Sequence, residues 1–540
     1  MVTVAQAVAS NLKELGVKYV FGVPSGNWVD YMAAIEQVDG LDFVLISNEG
    51  SGGFMADVCW RLTGTVAACF GTFGPGACNQ TTGVCGGYLD RSPMIAFSDE
   101  MNDTMRPRTV QMNIDHQALF DPITKWSSRL EVGRVGQILG EAMRIATSEV
   151  PGPVHIGLPS GIGSCHAGET VAEFISPDKP AYAPLAALTE MAEVFSSTEK
   201  PIVALGITAI RSNVQKLILQ ILEKFKIPVV LTPMAKGMVP ETHPSYAGIL
   251  AHALANHVGK THQQADLIVG IGFDPVELNY EDWIPQVPLL HIDTMPADLD
   301  TENFTLGCEV VGNLSYSLQY LLAVDCKEKN WNLEEVAARK TAMMADLAPP
   351  PGTFGPRKVL QELRETLPAN GIMTCDVGAH LHLIGQQWKT PSPECQLMTN
   401  GCSSMGFAIP AAIAAKLCCP EREVCCVVGD GGYAMMAGEM VTAARLGARI
   451  VFVVLNDGYL SLISLKQEFK GHSRYGTQLN DAGHSYPLTT AMFGVPVMVA
   501  RDAAQFQQAL QAGFSGDGPV IIETFIDSRE YDELLLKGNR

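Results

Sequence analysis

The chain has 540 residues, is 47% hydrophobic and carries a formal charge of −20. That length exceeds one ordinary core and predicts about three domains, while the acidic excess argues against nucleic acid, whose backbone is held by clustered Lys and Arg. Its fourteen cysteines form no CxxC pair, and Cys418-Cys419 and Cys425-Cys426 sit in or beside apolar runs where thiols act as small hydrophobes, so a reduced cytoplasmic setting is expected instead of a disulfide scaffold.

The amino-terminal stretch MVTVAQAVASNLKELG reads as an amphipathic helix over Ala5–Leu15 stopped at Gly16, without the basic start and apolar block of a signal peptide. No later run approaches membrane-spanning length, and no membrane partner is expected. Strands follow at Tyr19–Val23, Phe43–Ile46 and Val66–Phe70, with a helix over Ser51–Leu62. They end on Pro24-Ser25-Gly26, on Ser47-Asn48-Glu49-Gly50 and on Gly71-Thr72-Phe73-Gly74-Pro75-Gly76. This rhythm predicts a doubly wound α/β domain over residues 1–170. Glu49 stands where a strand finishes and a helix begins, the usual edge for ligand contact in such sheets; on position alone, a first-turn acid stabilised by the helix dipole comes ahead of a catalytic group. SPDKPAYAP, Ser176–Pro184, is a linker by composition. A further α/β unit over 186–345 carries strands at Pro201–Leu205, Pro228–Leu231, Leu267–Ile271 and Pro288–Ile292. Its Gly270-Ile271-Gly272 lacks the third glycine of a dinucleotide fingerprint and Asp274-Pro275 stands where a helix should open, so NAD binding is not predicted.

After Pro349-Pro350-Pro351 comes the last domain, 352–540, whose strand Ile372–Cys375 ends on Asp376-Val377-Gly378-Ala379-His380. Cys375, His380 and His382 are near neighbours but lack zinc spacing. EVCCVVGDGGYAMMAGEMVTAARLGARIVFVVLNDGY, residues 423–459, reads as one complete βαβ unit. Its first strand, Val424–Val428, is an apolar run without alternation, as expected of a parallel strand covered on both faces. It ends on Gly429-Asp430-Gly431-Gly432; a helix is expected over Tyr433–Leu446, stopped at Gly447, and the strand Ile450–Leu455 ends on Asn456-Asp457-Gly458. A right-handed crossover brings Asp430 and Asn456 to the same carboxyl edge. Their oxygens are hard ligands suited to Mg2+, which borrows its remaining ligands from a phosphate. The glycines remove side chains where a diphosphate would approach the helix start.

GDG, the helix and strand that follow it, and NDGY together resemble the cofactor signature of thiamine diphosphate (ThDP) enzymes. SNEGSGGFMADVCWRLTG with GTFGPGACN, DPITKW around Lys125 and PGPVHIGLP, Pro151–Pro159, look like the pyrimidine-binding domain of the acetolactate synthase and 2-oxo acid decarboxylase family. The resemblance implies three doubly wound parallel-sheet α/β domains in the order pyrimidine-binding, central Rossmann-like and diphosphate-binding. It implies that Glu49 contacts the aminopyrimidine, where a carboxylate against the ring nitrogen favours the imino tautomer that can take the thiazolium C2 proton. Asp430, Asn456 and the Gly458 carbonyl would hold Mg2+, and Gly378, Ala379 and His380 would meet the diphosphate end beside Gly431, Gly432 and Tyr459. Met405, in GCSSMGFAIPAA, would be the apolar wedge under the bent cofactor; on their own, His380 is a loop histidine and Met405 a core methionine. Relatives hold FAD or a nucleotide in the central domain or leave it empty, and these residues leave FAD undecided. Because relatives grip the two ends of ThDP with different subunits, a homodimer or homotetramer is implied.

The implied activity is ThDP- and Mg2+-dependent decarboxylation of a 2-oxo acid with carboligation to a second carbonyl. Pyruvate decarboxylases share NDGY but carry an adjacent His-His pair in the first domain and a Glu three residues after that Tyr. Here the corresponding loop, NDTMRPRTVQMNIDHQ, has only His116, and the later position is Leu462. A carbanion without a nearby acid lives longer and can attack a second carbonyl, which favours carboligation over simple aldehyde release. A non-catalytic relative that keeps the fold is the other alternative, but it would have little reason to keep Glu49 with Asp430 and Asn456. Ser25, Phe73, Gln111 and Leu462 are candidates for the substrate wall, and Arg106 and Arg108 for recognising a carboxylate.

Overall fold

The computed structural model describes residues 1–168, 176–479, 490–532 and 534. The boundary expected near 170 and the chain after 534 lie outside the described residues. Three sheets follow one another along the chain. The first contains β1 (Tyr19–Gly22), β2 (Asp42–Leu45), β3 (Ala67–Gly71), β4 (Met94–Glu100), β5 (Ser127–Arg129) and β6 (Val154–Pro159), in the order β2-β1-β3-β4-β6-β5. The second contains β7 (Pro201–Leu205), β8 (Val229–Leu231), β9 (Tyr246–Ile249), β10 (Leu267–Ile271), β11 (Leu289–Asp293) and β12 (Leu306–Val311), in the order β12-β11-β10-β7-β8-β9. The third contains β13 (Ile372–Cys375), β14 (Gln396–Leu397), β15 (Val424–Gly429), β16 (Ile450–Asn456), β17 (Ala491–Met492), β18 (Val495–Ala500) and β19 (Val520–Phe525), in the order β14-β13-β15-β16-β19-β18-β17. Every pairing is parallel except β17 with β18. The buried, non-alternating strands are what both-face coverage by helices demands.

In each sheet the first strand has later strands on both sides, and this reversal of strand order opens a crevice at the carboxyl ends of the two strands involved. The reversal falls between β1 and β3 in the first sheet, between β7 and β10 in the second and between β13 and β15 in the third. The second crevice is closed at its tips: a Cβ added at Gly206 would lie 2.5 Å from the Gly272 carbonyl oxygen, and one added at Gly272 (φ +57°) would meet the Ala209 backbone. The glycines of Gly270-Ile271-Gly272 thus serve close packing, Gly270 against the Tyr280 hydroxyl.

One element differs from expectation in a way that matters. The helix expected over Tyr433–Leu446 is two helices, Asp430–Met436 and Glu439–Arg445, the first beginning at Asp430 itself. The break at Ala437-Gly438 lets the Gly438 carbonyl accept from the Ser47 hydroxyl (2.8 Å), and Glu439 Oε1 accepts the N–H groups of Ser47 and Asn48 (3.0 Å each). The helix Glu49–Thr63 also packs along Ala408–Cys418, with Phe54 edge-on to Phe407 at 5.7 Å. Both rings are buried, each contributing about 1.5–3 kcal/mol, so the first and third sheets share one core. Arg91, which donates to both oxygens of Asp274 (2.7 and 3.1 Å), ties the first segment to the central one. Ser176–Pro184 has neither helix nor strand, and among the described residues no helix is long and apolar enough to cross a membrane.

Candidate active site

The crevice of the third sheet holds a cavity of about 220 Å3. β15 and β16 run in register, Gly429 beside Leu455, so Asp430 and Asn456 leave the sheet side by side. Asp430 heads its helix; Oδ1 accepts the Gly431 N–H (2.9 Å) and Oδ2 the Gly458 N–H (2.8 Å). Burial, and then the nearby Asp457 carboxylate, push Asp430 up to about 7. The Asn456 amide nitrogen donates to Glu523 Oε1 (2.7 Å), which leaves its oxygen as the end open to a cation. The Gly458 carbonyl accepts the Leu479 N–H (2.8 Å) and keeps a second lone pair.

Gly378, Ala379, His380, Met405, Asp430, Gly431, Gly432, Tyr459 and Leu462 all line this cavity, while Asn456 and Gly458 adjoin it through Asp430. A Cβ at Gly431 would lie 2.7 Å from Leu460 Cδ2 and 3.2 Å from Met405 Cε, and one at Gly432 would collide with the Asp376 carboxylate. His380 is buried with no partner at Nε2, and burial lowers its pKa to about 4. Two cavity groups, Asp457 and Tyr531, and the carboxylate behind them, Asp376, escaped the sequence reading. Asp376 is fully buried, pushed up to about 6 by that burial, and accepts the N–H groups of Gly406 (3.0 Å), Phe407 (2.9 Å) and Ala408 (3.3 Å), tying the β13 tip to the segment that carries Met405. Asp457 accepts from the Tyr459 N–H (3.0 Å) and the Ser461 hydroxyl (2.5 Å), and so fixes the turn into the helix Ser461–Phe469 that carries Leu462. Tyr531 is buried, its hydroxyl pushed up by burial and by Asp457 and Asp430. Asp376 and Asp457 were legible as polar residues at strand ends; nothing in the sequence marks Tyr531.

At the first sheet, Asn48 caps the helix Glu49–Thr63 through a bond from the Gly50 N–H (2.9 Å), and Glu49 follows, 8% exposed. Its Oε2 accepts from the Asn79 amide (3.0 Å). The crevice between β1 and β3 is walled by Ser25 and Thr72, and behind them lies Asp99, near the end of β4. The Asp99 carboxylate is fully buried and accepts from the Ser25 hydroxyl (2.5 Å), the Asn27 amide (2.7 Å) and the Thr72 hydroxyl (3.2 Å). Burial raises its pKa against the pull of those three bonds. Its signal was an apolar strand closing on Ser98-Asp99-Glu100.

His116 is buried and its Nε2 accepts the Gly74 N–H (3.1 Å). It is therefore neutral and turned to the backbone, and burial lowers its pKa. Phe73 is half-buried and Gln111 exposed, with the Gly74 turn packed against Met112. Arg106 and Arg108 are exposed. Lys125 donates to the Ser148 carbonyl (2.6 Å), a structural tie. The described residues that line the third-sheet cavity all come from 377–531, so Leu462 lines it and Ser25, Phe73, Gln111 and Glu49 do not.

Residues 2–119, 188–321 and 376–524 match the thiamine pyrophosphate enzyme N-terminal TPP-binding, central and C-terminal TPP-binding domains. The chain belongs to the ThDP-dependent enzymes of the acetolactate synthase family. It is 28% identical to a probable acetolactate synthase large subunit of Methanocaldococcus jannaschii, over 99% of this chain and 94% of that protein. Identity is 27% to the acetolactate synthase of Bacillus subtilis, over 97% and 93% of the two chains, and 26% to the acetolactate synthase isozyme 1 large subunit of Escherichia coli, over 98% and 94%. The three parallel sheets of this ThDP enzyme fall in the order N-terminal, central and C-terminal TPP domain.

Proposed function

We propose that the enzyme decarboxylates a 2-oxo acid and joins the resulting two-carbon or longer unit to a second carbonyl, with Mg2+ anchoring the cofactor. The carrying observation is the third-sheet cavity, where Asp430 and Asn456 leave the sheet side by side and the buried His380 Nε2 has no partner. Among the described residues no three His, Cys, Asp or Glu side chains converge on a metal position; Asp430 Oδ, the Asn456 amide oxygen and the Gly458 carbonyl would hold the cation, together with phosphate oxygens. The donor set fits: Asp430 beside Asp457 is a concentration of negative charge that a divalent ion relieves, and the orphaned His380 Nε2 meets an anion. Gly378, Ala379, Gly431, Gly432 and Tyr459 line the same cavity and would border the diphosphate, and Met405 would give the cofactor an apolar contact. Bound ThDP supplies an electron sink for the carbon that loses CO2. Glu49, buried and held by Asn79, would fix the tautomer of the aminopyrimidine.

Carboligation is favoured because the two acids that would protonate a bare product are replaced. His116 spends Nε2 on a backbone N–H, and Leu462 puts an apolar side chain in the cavity wall. The wall candidates of the first sheet do not line the cavity that Leu462 borders, which supports a homodimer as the smallest active unit, alone or paired into a tetramer. The test is CO2 release from a panel of 2-oxo acids with and without ThDP and Mg2+. Release that requires both and disappears in Asp430→Ala is expected; release indifferent to either, or retained in the variant, overturns the reading.

A further inference from the structure

Two of the fourteen cysteines meet across domains. Cys59 lies on the helix Glu49–Thr63 and Cys418 ends the helix Ala408–Cys418, and their sulfurs are 3.5 Å apart. These are the helices through which the first and third sheets share a core. Cys59 is buried and Cys418 half-buried, and both line a cavity of about 40 Å3 with Lys18, Tyr19 and Thr63. The two thiols differ in chemistry. The hydrogen bond with Cys59, and after it the Lys18 ammonium, hold Cys418 below its ordinary pKa against burial, whereas that bond and burial push Cys59 up. One sulfur is the readier thiolate, half-open to solvent and near a cation; the other is a thiol held behind it. An attacking cysteine and its resolving partner are arranged in this way.

We propose that Cys418 and Cys59 form an oxidation site, where a hydroperoxide converts the pair to a disulfide that clamps the first domain to the third and a thiol reductant reopens it. The inference is independent of the reaction proposed above. The Cys418 thiolate attacks one peroxide oxygen and the O–O bond breaks. The departing oxygen takes a proton and leaves as water or an alcohol, and Cys418 is left as the sulfenic acid. The Cys59 sulfur then attacks that sulfur, the S–O bond breaks, and the hydroxyl leaves with the Cys59 proton as water. In all, the two thiols lose two electrons and two protons, and the hydroperoxide takes them up. The sulfurs close from 3.5 Å to about 2.0 Å. That movement is shorter than a C–S bond, and the cavity beside the pair leaves room for it. The new bond joins the helix that begins at Glu49 to the helix that follows the Met405 segment. Because the two cysteines are far apart in the chain, it restrains the unfolded state and opposes separation of the domains.

The experiment treats the reduced, full-length protein with hydrogen peroxide at a dose that oxidises the exposed Cys78 and Cys165. Remaining thiols are alkylated in denaturant, and the peptides are mapped by mass without reduction. In the wild type a cross-linked pair containing Cys59 and Cys418, lighter by two hydrogens than the separate thiols, is expected, and a thiol reductant removes it. The same treatment is expected to raise the melting temperature, and the reductant to reverse that shift. In Cys59→Ser, Cys418 is expected to stop at the sulfenic acid, which a diketone traps; in Cys418→Ser, Cys59 is expected to stay an alkylatable thiol. Recovery of both residues as alkylated thiols from oxidised wild type, or cross-linked only to other cysteines, overturns the inference. So does a disulfide that leaves the melting temperature unmoved, since it clamps nothing, or oxidation of Cys59 in the absence of Cys418. Where a serine variant melts early, the wild-type map decides.

Discussion

Glu49 shows how the chain delivers one carboxylate to the edge of a sheet. It follows a capped turn, its helix start is pinned to Glu439, and Asn79 holds one carboxylate oxygen. Glu49→Gln preserves shape and one acceptor oxygen but cannot favour the imino tautomer. Cofactor affinity is expected to stay within a few-fold of wild type while turnover drops at least about 100-fold, measured by calorimetry and CO2 release; full turnover would remove the role. Glu49, Asp430 and Asn456 were legible in the sequence because a parallel sheet puts strand-end residues at its ligand edge whatever the details of packing. Asp99 has the same kind of address and was passed over, since its meaning lies in Ser25 and Thr72, contacts between loops far apart in the chain. Tyr531 reaches the cavity from the last described turn, and no local pattern encodes that.

At the scale of elements, the βαβ unit from β15 to β16 was readable almost residue by residue, apart from its helix. Apolar periodicity located the helical stretch but missed that it starts at Asp430 and breaks at Ala437-Gly438. The break exists for a partner element, the Ser47-Asn48 turn, and a one-dimensional pattern carries no such information. The segment from β13 to the helix Ala408–Cys418 depends instead on Asp376, whose carboxylate accepts three backbone N–H groups. In Asp376→Asn the new amide nitrogen would face one of those donors. We expect a loss of about 1–3 kcal/mol, the cost of a buried unsatisfied group, read as a lower melting temperature, together with weaker ThDP binding because Met405 loses its anchor. A variant that melts and binds like wild type would show that the segment holds itself.

For the whole molecule, three sheets each present a crevice where strand order reverses. The second is closed by packing of Gly206 on Gly272, while the first and third carry the polar groups. Glu49 and Asp430 belong to different crevices, and the lining of the third comes from one stretch of sequence, so two copies of the chain complete the site in our account. Mixing Glu49→Gln with Asp430→Ala protein should therefore restore part of the activity that each lacks, since hybrid dimers contain one intact site. No recovery, with subunit exchange confirmed by mass, would argue for a site within one chain. The claim on which the rest depends is that the enzyme makes a carbon–carbon bond. The most direct measurement feeds isotopically labelled pyruvate and longer 2-oxo acids, with and without an acceptor aldehyde or oxo acid in excess, and identifies the products by mass. The account predicts a ligated hydroxy-ketone or hydroxy-oxo acid carrying label from the donor; free aldehyde as the sole product, even with acceptor in excess, would contradict it.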